Sequence, residues 1–116
     1  MDEAIDRFIL YLATERGLSS NYQLSTRQSL EGFAVWLKSE RGLSDPAGVT
    51  LRHASDYLAA RKQQGLAAAS VKLIVVALRI FFRFLHQRGQ LPGDPLETLP
   101  LPRVERFLPE TLNEAK

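Results

Sequence analysis

The sequence predicts an all-α fold, a bundle of four helices. Apolar residues recur with helical periodicity in four separate segments, and no segment alternates apolar and polar residues as a half-buried strand would. Glycine punctuates the chain at Arg16-Gly17, Arg41-Gly42, Gln64-Gly65 and Arg88-Gly89. Glycine after a helical pattern supplies the left-handed residue that closes a helix, and a basic residue before it complements the helix dipole.

The first helix is predicted from about Asp2 to Arg16, with Ile5, Phe8, Ile9 and Leu12 inward. The second starts at Ser20, where Ser20-Asn21-Tyr22-Gln23 has capping-box spacing, and runs to about Arg41. Its inward face is Tyr22, Thr26, Leu30, Phe33, Ala34 and Leu37. The third opens at Thr50 as N-cap and runs to Gln64, with Leu51, Ala54, Tyr57 and Leu58 inward. The pentapeptide Glu-Arg-Gly-Leu-Ser occurs at 15–19 and again at 40–44. The segments before the two copies differ in length and pattern, so the pair is a reused stop signal rather than an internal repeat. Its Leu is placed for the hydrophobic contact of a helix cap.

The fourth helix, between Ala67 and Gly89, is the most informative segment; its start has no clear cap. Val71, Ile74, Val75, Leu78, Phe81, Phe82 and Leu85 share one broad arc. Lys72, Arg79 and Arg83 fall within about 40° of one another, outside that arc. Cations aligned on a rigid rod suit phosphates strung along a nucleic-acid groove. The plainer reading is a core helix whose open side is solvated.

Composition narrows the function classes. The chain has 116 residues, 45% of them hydrophobic and 24% charged, which fits one soluble globular domain. Net charge is only +2, but its distribution is uneven. Residues 52–88 carry seven Lys or Arg against Asp56 alone, whereas residues 1–15 hold Asp2, Glu3, Asp6 and Glu15 against Arg7. Such asymmetry bears on partner choice more than the total does. Cysteine is absent, which excludes disulfides, thiolate catalysis and zinc-finger spacing. The longest apolar run, Leu73 to Leu78, is too short to span a bilayer. The acidic start MDEAIDRF is unlike a signal or transit peptide, so a cytoplasmic location is expected.

No self-contained active site is visible. His53 and His86 lie in different helices without an adjacent carboxylate or cysteine pattern, so neither a metal nor a cofactor is expected. HExxH, Walker and GxSxG motifs are absent, and the glycines are helix stops or loop residues rather than a phosphate cradle. Tyr11, Tyr22 and Tyr57 lack the basic neighbours that a tyrosine nucleophile needs, and packing explains them better.

After Gly89 the character changes. Pro92, Pro95, Pro100, Pro102 and Pro109 forbid a long helix, although Asp94-Pro95 can cap and begin one turn. Residues 1–99 therefore read as the helical domain and 100–116 as an extended Pro-rich linker. Thr111 and Glu114 have capping-box spacing at its end, the expected start of a further helix in protein that follows Lys116.

An ordered set of residues carries a family likeness. Ser20-Asn21 opens the second helix, followed by Leu30, Phe33 and Trp36-Leu37; Gly65 closes the third. The fourth carries Ser70, Ala77-Leu78-Arg79, Phe81-Phe82 and Phe84-Leu85, and Asp94-Pro95 ends the helical part. This resembles the N-terminal core-binding domain of tyrosine recombinases, the phage-integrase and Xer family, over nearly the whole chain. Phe107-Leu108-Pro109, with Thr111-Leu112 and Glu114-Ala115, looks like the junction where that family's catalytic domain begins.

The resemblance implies a SAM-like four-helix bundle that sits on one face of double-stranded DNA, with helices two and four near the major groove. It implies no catalysis by this chain, because the family's cleaving tyrosine and its activators lie in the catalytic domain. Other recombinase protomers on DNA are the implied protein partners; a membrane and a small-molecule substrate are not. The implied DNA-binding residues are Ser20, Asn21, Arg27, Gln28 and Lys38 from helix two and Ser70, Lys72, Arg79 and Arg83 from helix four. Arg79 falls on an arginine position frequent in the family. Free amides at the start of helix two suit phosphate; Gln28 or Arg27 has the chemistry to reach a base edge, and the sequence leaves open which residues read bases. Tyr22, Thr26, Ser29 and Leu73 depart from the family's usual Thr, Tyr, Asp and Arg, which implies a divergent member. The competing expectation is a helical protein-interaction module that uses a second apolar strip of helix four, Leu73, Ile80 and Phe84. A membrane-surface helix is a poorer fit, since the basic ridge is narrow and the helix is apolar on most sides.

Overall fold

Four helices fall where the periodicity places them. The computed structural model describes residues 1–17 and 19–100: α1 Asp2–Thr14, α2 Ser20–Arg41, α3 Leu51–Gln63 and α4 Ala68–Gln87, with a 3₁₀ turn at Pro46–Gly48. No strand occurs among the described residues. Leu18, the Pro-rich stretch beyond Pro100 and the capping-box pattern at Thr111 lie outside the described residues.

α4 is the spine of the bundle and packs against the other three helices. All seven apolar residues of its expected arc are buried, together with Ala77 and Phe84. Phe81 and Phe82 touch at 5.1 Å between ring centroids and join two aromatic groups. On one side Phe8 of α1 meets Phe81 at 5.4 Å and Phe84 at 5.2 Å. On the other, Phe33 of α2 packs on Tyr57 of α3 at 5.2 Å and on Phe82 at 6.5 Å. Truncating such a fully buried ring costs about 3–5 kcal/mol, so this junction dominates the bundle's stability.

The helix ends follow local chemistry. At the C-terminus of α3, Leu66 N–H donates to Arg61 C=O and Gly65 N–H to Lys62 C=O; at that of α4, Gln90 donates to Leu85 and Gly89 to His86. These are Schellman closures, and they need the left-handed backbone of Gly65 (φ 91°) and Gly89 (φ 77°). Thr50 caps α3 as expected, with His53 as the reciprocal partner: Thr50 N–H donates to His53 Nδ1 at 3.0 Å. The cap of α2 is Ser19 rather than Ser20. Ser19 has the extended backbone of a cap, and its Oγ accepts from Tyr22 N–H at 3.2 Å.

Two expected core residues are exposed instead: Tyr22 by 38% and Leu51 by 36%. Both stand in the first turn of a helix. Helical side chains lean toward the N-terminus, so here they overhang the end rather than cover a neighbour. Core is gained where none was expected. Leu91, Leu96 and Leu99 are buried, and Asp94 Oδ1 accepts from Leu96 N–H at 3.1 Å to start the turn that tucks them in.

Candidate nucleic-acid interface

Spacings of seven and four residues bring Lys72, Arg79 and Arg83 to one side of α4, opposite its buried arc. Lys72 and Arg83 are exposed and Arg79 half-buried. From Lys72 to Arg83 the rise is about 16 Å at about 1.5 Å per residue. Among the described residues, none of the three has an ion-pair partner.

Other arginines are engaged. Arg41 pairs with Asp56 at 3.1 Å and lies over the Trp36 ring, and Arg52 also reaches Asp56, at 3.8 Å. Arg88 pairs with Glu15 at 3.6 Å and covers Tyr11 and Phe84. Arg27, expected on the DNA face, is clamped between Asp6 of α1 at 2.8 Å and Glu31 at 3.3 Å. The hydrogen bond to Asp6 is the main force raising its pKa above the ordinary arginine value, with Glu31 adding to it against partial desolvation. Its donors tie α1 to α2, so it is not a free cation.

The remaining expected residues do not form one surface. Ser20, Asn21 and Lys38 are exposed on α2. Gln28 and Ser70 line a cleft of about 700 Å3 between α2, the end of α3 and the start of α4. Ser70 stands about 160° around α4 from Lys72, so it faces this cleft and not the ridge. At the start of α2, Ser19 already occupies the Tyr22 amide, which leaves fewer free donors than expected.

Three groups escaped the sequence reading. Arg16, at the end of α1, shares a depression of about 270 Å3 with Arg83. In the cleft, Arg61 donates to Gln64 Oε1 at 2.9 Å while its buried Nε has no partner. Beside it, burial raises the Tyr57 pKa above the usual phenol value, opposed by the Arg61 charge. His86, expected only as a boundary residue, lies about 20° from Arg79 around α4 and bonds through Nδ1 to Leu91 C=O at 3.1 Å. Its position on the basic arc was legible from spacing; its loop partner was not.

The apolar strip of the competing reading is not open. Phe84 is 7% exposed beneath Phe8 and Tyr11, Ile80 is half-buried, and only Leu73, at 60%, faces outward. Among the described residues no helix is long and apolar enough to cross a membrane, and no group of three or more His, Cys, Asp or Glu is placed to hold a metal.

A four-helix domain whose spine carries an unpaired basic arc has the electrostatics of a polyanion-binding module. The chain belongs to the family described as phage integrase, N-terminal SAM-like domain, whose model matches residues 5–89. It is 31% identical over 113 residues to tyrosine recombinase XerD of Listeria monocytogenes serotype 4b, covering 97% of this chain and 38% of that protein. It is 33% identical over 114 residues to tyrosine recombinase XerC of Pelotomaculum thermopropionicum, covering 95% and 37%. Against the XerC of Erythrobacter litoralis identity is 36% over 111 residues, covering 95% and 33%. The chain thus spans little more than a third of the length of these relatives. No solved structure matches significantly.

Proposed function

We propose that this chain is the DNA-holding, non-catalytic part of a site-specific tyrosine recombinase. α2 and α4 dock on one half-site of duplex DNA, while a separate catalytic domain, reached through the Pro-rich linker after residue 99, cleaves the strand. Further protomers assemble with it on DNA in the cytoplasm. The open arc of Lys72, Arg79 and Arg83 carries this reading. Its length of about 16 Å spans about five base-pair steps at about 3.4 Å each. Arg16, beside Arg83, extends it.

Electrostatic docking has a signature that apolar association lacks. With about six phosphates neutralised, log K should fall with log salt at a slope near −5. Isolated from the opposing half of a clamp, the domain is expected to bind in about the micromolar range or weaker. Fluorescence anisotropy on a short duplex across a salt series tests this. Arg79→Ala and Arg83→Ala should each weaken binding to all sequences about equally. Unchanged affinity in both variants would remove the ridge from the interface.

A further inference from the structure

The basic arc does not end in open solvent. Arg79 and Arg83 form one wall of a depression of about 460 Å3 with His86, and Asp94 and Glu97 face them from the turn that follows α4. Gln87, Pro92 and Gly93 complete the lining without charge. The acidic wall is anchored, since Leu91, Leu96 and Leu99 on either side of it are buried. Neither carboxylate reaches an arginine within ion-pair distance among the described residues. The nearby Arg88 is committed to Glu15.

Charge around this depression is balanced. Two arginines oppose two carboxylates, so the formal sum is zero with a neutral imidazole and +1 with a protonated one. The wiring of His86 allows that proton. Leu91 C=O is an acceptor only, so Nδ1 carries the hydrogen and the neutral ring keeps its lone pair on Nε2. Protonation at Nε2 breaks no existing bond. His53 is wired the opposite way: its Nδ1 accepts from Thr50 N–H, and a proton there would unmake the α3 cap.

We infer that the depression is a proton-gated phosphate seat, with His86 as its gating group. Imidazole changes charge between about pH 5 and 8, so the seat is neutral in mild alkali and cationic in mild acid. A phosphate held by Arg79 and Arg83 gains a third donor from His86 when the ring is protonated. The inference rests on the DNA-docking reading and deepens it: grip on the duplex strengthens as pH falls, with uptake of one proton.

The test is anisotropy of the full chain with a short random-sequence duplex at constant ionic strength, from about pH 8 to about pH 6. Wild-type affinity is expected to rise about three- to tenfold, below the tenfold per pH unit that one proton permits. His86→Gln should be flat at the weak, high-pH level, and Glu97→Gln should bind tighter at high pH. His53→Gln controls for the α3 cap and should follow the wild type, with thermal melts reporting folding. A His86→Gln profile matching the wild type, while Arg79→Ala still weakens binding, overturns the gate and leaves the ridge. If neither arginine matters, the docking reading itself has failed.

Discussion

Arg27 and Arg79 are the same side chain, both half-buried, on two helices that pack against each other. One is spent on structure and the other is free. Arg27 sits where α2 crosses the acidic first helix, so Asp6 and Glu31 hold its donors and it fastens two elements together. Arg79 sits on the face of α4 turned away from every element of the bundle's core, with Lys72 and Arg83 in line with it. Basic character therefore says little about a nucleic-acid role until the nearest carboxylates are known. The same rule separates Arg88, pinned to Glu15 over two rings, from Arg83 only five residues before it.

Charge reversal breaks the comparison most sharply. Arg79→Glu with Arg83→Glu should lower affinity for duplex DNA about 100-fold or more, whereas Arg27→Glu should change it less than about threefold. Equal losses would mean that Arg27 leaves Asp6 for the duplex. Milder truncations give a cleaner reading of phosphate contacts. Replacing Arg79 and Arg83 together by Ala should reduce the salt slope by about two, and Arg27→Ala should leave it unchanged.

Stability should show the reverse order. Arg27→Ala is expected to cost about 0.5–1 kcal/mol in denaturant melts, fading in high salt, because the pairs are partly exposed. Arg79→Ala should stay within about 0.5 kcal/mol of the parent. The smallest effect concerns the cleft. Burial raises the Tyr57 pKa, so the folded state resists ionisation that the unfolded chain accepts. The contribution is full below about pH 10 and is lost as pH rises beyond it. Tyr57→Phe should flatten that alkaline limb of the melting curve, and an unaltered limb would show that another group controls it.

Helices, their glycine stops, the inner face of α1 and the buried arc of α4 were all legible in the residues. The 3.6-residue period and the closing turns are local: each depends on side chains within one or two turns of one another. The basic ridge belongs to the same class, since spacings of seven and four residues alone bring its three cations to one side. Where a helix begins was less secure, because Ser19 and Ser20 offer the same hydroxyl and only backbone geometry chooses between them. The fate of Arg27 was decided by a partner 21 residues away. The cover over Phe84, the burial of Leu96 and the Leu91 partner of His86 likewise depend on how helices cross and how the chain returns after Gly89. Periodicity states which face a helix buries. Only the packed bundle states what stands opposite it, because charges and apolar surfaces are satisfied by proximity in space, not in sequence.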